Sequence, residues 1–189
     1  VLLTAANEFS CATPIATTSP DYVVQLNEIK SFQQDISNEE RNLVNYWGAG
    51  AVLRWNEIMR ELVAKHNIPP YQNDDGTYPI PSAANPLAYP TFPFANPPYA
   101  ARAYAYLSAA QYDACVSAFY YKQQFNRSAP FRVDSSIQTL LPKSVLPSFP
   151  SEDAAICGAS VEILKLMFPG DQDFINQKAE EHKRARLIA

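Results

Sequence analysis

The feature that most restricts this chain is where its prolines fall. Its 189 residues hold 16 prolines against 5 glycines, and nine of the prolines lie between Ile68 and Pro98. Proline lacks a backbone N–H and fixes φ, so it interrupts a helix and is excluded from a central strand. The stretch PPYQNDDGTYPIPSAANPLAYPTFPFANPP is therefore predicted to be neither, and it separates helical blocks by one long, stiff connector. A segment of that length is more than a link in a compact domain. Its aromatic residues Tyr71, Tyr78, Tyr89, Phe92 and Phe94 are expected either to anchor it as a cover over the helices or to wall the mouth of a pocket.

The blocks on either side carry helical signals. Ser37 with Glu40 fits a capping box. Leu43, Tyr46 and Trp47, then Trp55, Ile58, Met59, Leu62 and Val63, recur at three- and four-residue spacing, the period of an amphipathic helix. Gly48 and Gly50 are expected to kink this pair, and the run should stop at Asn67 before Pro69 and Pro70. From Tyr99 to about Phe125 there is neither Gly nor Pro, which predicts one long helix whose alanines and serines allow close approach of neighbours. A further helix is predicted from about Ser151 to Phe168, stopped by Pro169-Gly170. Asp171 is expected to cap a last helix running to Ala189. Residues 1–36 have no strong pattern, and Val23, Val24 and Leu26 are expected to pack as an extended arm ahead of a helical domain over 37–189. That helix ends in RARLIA, apolar and without a C-cap. The expectation is a chain continued beyond Ala189 or completed by a separate segment, the alternative being a helix docked by Leu187 and Ile188.

Composition sets outer limits. Hydrophobic residues make up 47% and charged residues 18%, which suits a globular chain and not a disordered one. No apolar run approaches 18 residues, so no transmembrane helix is expected. A formal charge of -4 argues against a broad nucleic-acid surface. Cys11, Cys115 and Cys157 are too few and too scattered for a zinc site or a disulfide framework, and Cys115 and Cys157 read as core. The chain opens at Val1 without a leader, which is compatible with a processed periplasmic or extracellular protein. The oligomeric state is left open, a homo-oligomer included.

Three pieces carry chemistry: Lys122 to Pro130 (KQQFNRSAP), then Pro150-Ser151-Glu152-Asp153, then Ala185-Arg186. Each falls at or near the end of a predicted helix. Lysine and arginine supply fixed positive charge for an oxyanion. Ser151 and the free amides of a helix N-terminus add donors. Together these are the elements of a phosphate-type site.

In order and spacing these pieces resemble the type-2 phosphatidic acid phosphatase superfamily, which also holds bacterial acid phosphatases and vanadium-dependent haloperoxidases. That family's pattern is Lys, six residues, Arg-Pro; then Pro-Ser-Gly-His; then Ser-Arg, five residues, His, three residues, Asp. YWGAGAVLRWNEIMRELV, the proline-rich loop and ARAYAYLSAAQYDA are similar to the bacterial haloperoxidase-like branch, so the resemblance runs from about Leu43 to Ala189. It implies an all-α helical bundle of the acid phosphatase/haloperoxidase type with the anion among helix ends. The implied chemistry is phosphomonoester hydrolysis through a phosphohistidine, or halide oxidation at histidine-bound vanadate, with phosphate or vanadate as the bound group and a small phosphorylated or oxyanion ligand as partner.

Residue by residue, the resemblance carries over only Lys122, Ser151 and Arg186. Where the family has Arg-Pro this chain has Ala129-Pro130, with Arg127 two residues earlier as a substitute that is not a motif match. Where it has Gly-His this chain has Glu152-Asp153, and the nucleophilic histidine would fall past Ala189. The substitutions matter energetically. A carboxylate about 4 Å from a bound phosphate costs roughly 4 kcal/mol per charge pair at an effective dielectric near 20. Losing an arginine removes charge-assisted hydrogen bonds of about 1.5–3 kcal/mol each. Acidic side chains are, however, favoured at a helix N-terminus. Glu152 and Asp153 are thus expected to replace the anion by pairing with Lys122, Arg127 or Arg186, or simply to cap the helix. Two other readings stay open: a working but altered phosphatase-like site, and a metal-dependent hydrolase built on the two carboxylates. With the first, the chain would be a catalytically inactive binding or structural module. His66 reads as a cation at a helix end. His182, one turn before Arg186, could face the same site.

Overall fold

The computed structural model describes residues 2–67, 72–78, 80, 82–84 and 97–189. They form an all-α structure of six helices with no strand among them. The elements are α1 (Pro20–Phe32), α2 (Asn38–Gly48), α3 (Ala51–His66), α4 (Pro97–Phe125), α5 (Glu152–Met167) and α6 (Gln172–Ile188). A single helical turn at Pro130–Val133 and a 3-10 turn at Pro169–Asp171 punctuate the links.

Each boundary has a local cause. Ser37 closes a capping box, accepting from Glu40 N–H while the Glu40 carboxylate accepts from Ser37 N–H. Between α2 and α3 the chain breaks instead of kinking, because Gly50 adopts φ +116, a region closed to other residues. Leu62 lies one turn from the end of α3, which stops at His66 with Asn67 as its C-cap, two residues before Pro69. Helix α4 is uninterrupted over 29 residues. Most of the aromatic connector, including Tyr71, Tyr89, Phe92 and Phe94, lies outside the described residues, so its expected role as cover or pocket wall is not addressed; Tyr78, which is described, is exposed.

The helical spacing buries one face of each element. Trp55, Ile58, Met59 and Leu62 of α3 meet Val44 and Trp47 of α2, Ala103 and Leu107 of α4, Ile156 and Leu164 of α5, and Ile175, Ala185 and Ile188 of α6 in one core. Helix α4 runs along α5 over the longest stretch, and α2 lies against α6. Ala103 of α4 has no side chain beyond Cβ, which allows that close approach. A buried polar chain ties three helices: Asn56 donates to Gln111 (2.9 Å), and Gln111 donates to Ser160 (3.0 Å). At the edge, Arg184 of α6 pairs with Glu40 of α2 at 2.6 Å, joining the helix pair to the capping box.

Two expectations are corrected. The stretch holding Val23, Val24 and Leu26 is helix α1, not an extended arm. Ser19 caps it, Pro20 takes its first turn, and Asp21 suits the N-terminal dipole. Val23 and Val24 point to solvent, while Tyr22, Leu26 and Ile29 face Phe131 and Ile137 in a small separate cluster. Lys30 and Gln33 fasten α1 to Asp134 and Gln138. Asp171 holds the position before α6 but makes no side-chain cap. Its carboxylate turns to Lys65 and to His66 Nε2 (2.6 Å) at the end of α3, and these partners hold it below the usual carboxylate range despite burial. His66 is thus a helix-end cation as expected. At the other end of α6, Ile188 is buried, and the Ala189 carbonyl accepts from Leu140 N–H at 2.8 Å.

Candidate functional site

The C-terminal ends of α4 and α6 and the N-terminal end of α5 converge on one cavity of about 990 Å³, walled on the far side by α1 and the 129–149 link. Lys122, Arg127, Ser151, Glu152, Asp153, His182 and Arg186 all line it. The chain thus brings together side chains more than 60 positions apart.

Helix ends explain the distribution of charge. A helix C-terminus favours cations and an N-terminus favours anions. Lys122 closes α4 and Arg186 closes α6, while Glu152 and Asp153 open α5. The four charges then pair across the cavity. Lys122 Nζ lies 2.8 Å from Glu152 Oε2, and Arg186 Nε lies 2.9 Å from Asp153 Oδ2. Lys122 is a buried cation, its side chain 5% exposed. Such a charge requires both a counter-charge and further acceptors, and Lys122 has them: it also donates to the Pro147 carbonyl at 2.5 Å. Burial raises the Asp153 carboxyl above its ordinary value, with Arg186 opposing, Glu152 adding and Lys122 opposing.

Ser151 is the N-cap of α5, and its Oγ accepts from Ala154 N–H at 3.2 Å. Arg127 departs from expectation. It makes no ion pair with Glu152 or Asp153; its guanidinium lies over the Tyr22 ring at 4.5 Å and 5.9 Å from that of Phe149. An arginine stacked on an aromatic face gains a cation–π contact. The arrangement could not be foreseen from local pattern, because it depends on α1 crossing the link.

His182 is the least exposed of these residues, at 1%. Its ring stacks on Trp47, with centroids 4.2 Å apart, and its Nδ1 accepts from Trp55 Nε1–H at 3.3 Å. An indole N–H can only donate, so Nδ1 is unprotonated and the neutral ring carries its proton on Nε2. Nε2 is buried and has no partner among the described residues. Burial, and secondarily Arg186, lowers the His182 pKa to about 4. Trp47 and Trp55 read from sequence only as core; their second role, fixing the tautomer of His182, leaves no sequence signal.

The site offers little for covalent chemistry at neutral pH. A general base acts best when its pKa is near the working pH, and His182 is far below it. Cys157, which also lines the cavity, is pushed up to about 11 by burial, so it stays a thiol. No group of three His, Cys, Asp or Glu side chains able to hold a metal ion gathers among the described residues, and Glu152 and Asp153 each already face a cation. Nor is any helix of the described residues long and apolar enough to cross a membrane. No protein-family model matches the sequence, and no curated protein and no solved structure gives a match.

Proposed function

We propose that the chain is a helical relative of the phosphatidic acid phosphatase/haloperoxidase superfamily whose oxyanion site is filled by its own carboxylates. In this reading it works as a ligand-binding or structural module and turns over neither phosphoesters nor halides. One observation carries the reading: Lys122 is paired with Glu152 and Arg186 with Asp153. These are the residues that the sequence resemblance assigns to the anion and to the lost Gly-His. An entering phosphate would have to displace both pairs and then sit beside two carboxylates, at roughly 4 kcal/mol per like-charge pair at 4 Å. The remaining donors are also committed, Ser151 to its helix and Arg127 to Tyr22.

The test is a thermal unfolding series with orthovanadate and with inorganic phosphate. A ligand that binds the folded state raises Tm by linkage. The wild-type chain is expected to show no shift at millimolar anion and no hydrolysis of a generic phosphomonoester. A clear rise in Tm, or hydrolysis lost in Lys122→Ala, would overturn the reading.

A further inference from the structure

The cavity is larger than two ion pairs require. Its far wall is apolar, formed by Tyr22, Ile29, Phe131, Ile137, Leu146 and Phe149. Ligand pockets of this size, mainly apolar with a few fixed polar groups, are the usual form of small-molecule sites. At the polar end the charges cancel: Lys122 is matched by Glu152 and Arg186 by Asp153. A charged guest would leave one of these pairs uncompensated, so the balance favours a neutral one.

His182 supplies the second, independent observation. One ring face is covered by Trp47 and the Nδ1 edge is taken by Trp55. That leaves the Nε2 edge for the cavity that His182 lines. The proton on Nε2 makes it a donor, buried and without an acceptor. Buried donors in folded proteins are almost always satisfied, and an orphan calls for an acceptor supplied from outside the chain.

We infer that the cavity binds a neutral, mainly apolar small molecule bearing one carbonyl oxygen, which accepts from His182 Nε2–H while the apolar body lies against the α1 wall. The inference rests on the proposed reading only in taking the two ion pairs as intact. His182 is here a binding residue with no acid–base role. Its low pKa suits it to that task, since the ring stays neutral and keeps the Nε2 proton across the physiological range. Trp55 and Trp47 act through it as positioning residues.

The experiment compares two probes of one shape. 2-Acetylnaphthalene carries a carbonyl; in 2-isopropenylnaphthalene a CH2 replaces the oxygen. Each is titrated into the full wild-type chain, followed by tryptophan fluorescence, while 15N-labelled histidine reports Nε2 by NMR. The ketone is expected to bind about tenfold more tightly, the worth of one buried hydrogen bond. It should shift the His182 Nε2 resonance, and the hydrocarbon should not. In His182→Phe the two affinities should converge. Because that variant strands the Trp55 donor and can unfold, the wild-type NMR reading stands on its own. Equal affinities with an unmoved Nε2 resonance overturn the inference, as does failure of the ketone to bind. Inorganic phosphate serves as a third arm. If phosphate binds the wild type, the filled-site reading fails; if phosphate does not bind and the ketone also does not, only this inference fails.

Discussion

Replacing Trp55 with alanine lowers the stability of the folded chain by about 3–5 kcal/mol, the range for truncating a large aromatic in a packed core. Trp55 is fully buried and sits where α2, α3 and α6 meet. Its ring lies 5.5 Å from that of Trp47, and its N–H is the donor that holds His182. The substitution therefore removes volume and also strands Nδ1 of a buried imidazole, a loss of about 1–3 kcal/mol included in that total. Trp55→Phe separates the two effects. It keeps most of the volume and loses the donor, so it should cost about 1–3 kcal/mol. Urea unfolding at pH 7 measures both. A loss below about 1 kcal/mol for the alanine variant would mean that the core is not organised around this residue.

The second large effect is on pH dependence. His182 has an ordinary value of 6.5, lowered in the folded chain to about 4. Its folded pKa is thus depressed, and for a histidine that means the folded state favours the neutral ring. As pH falls below 6.5 the unfolded chain takes up a proton at this position that the folded chain refuses. Stability is complete above pH 6.5 and is lost as pH falls towards 4, by about 2–3 kcal/mol in all. Asp153 works in the opposite direction: its raised carboxyl takes up a proton earlier in the folded state and offsets part of the loss. Asp171, Glu40 and Asp134, held low by their cationic partners and by hydrogen bonds, contribute at the acid end of the range. Unfolding free energy measured from pH 7 to 4.5 should fall in the wild type and flatten in His182→Gln. A slope unchanged by that substitution would remove His182 as its source.

These outcomes mark where sequence reasoning reaches and where it stops. The helices with a clean period were legible: the Trp55, Ile58, Met59, Leu62 run became the buried face of α3, and the Gly- and Pro-free stretch became α4. Signals at ends were read well when they acted locally, as with the Ser37 and Glu40 box. Helix α1 was missed because two adjacent valines mimic a strand, although Ser19-Pro20-Asp21 is a helix start. Asp171 was misjudged for a different reason. Its position suits a cap, but two cations from α3 compete for its carboxylate and win. The same limit governs the site. Charge order along the sequence suggested that Glu152 and Asp153 would meet cations. It could not say that Arg127 would leave for Tyr22, because that contact is made by an element 105 residues away.

His182 shows the limit most clearly. Its spacing from Arg186 placed it near the site, and it does line the cavity. What sequence could not supply is its protonation. Only the approach of Trp55 Nε1 to Nδ1 fixes the proton on Nε2, and only burial between two tryptophans keeps the ring neutral.

The most direct test of the filled oxyanion site is the affinity of inorganic phosphate for the wild type and for Glu152→Gln/Asp153→Asn, measured side by side by isothermal titration. The amides keep the shape of the carboxylates and remove both charges, which frees Lys122 and Arg186. The double variant is expected to bind phosphate at least about tenfold more tightly than the wild type, a gain of about 1.4 kcal/mol or more. A variant that binds phosphate no better than the wild type would contradict the account, because the two carboxylates would then not be what keeps the anion out.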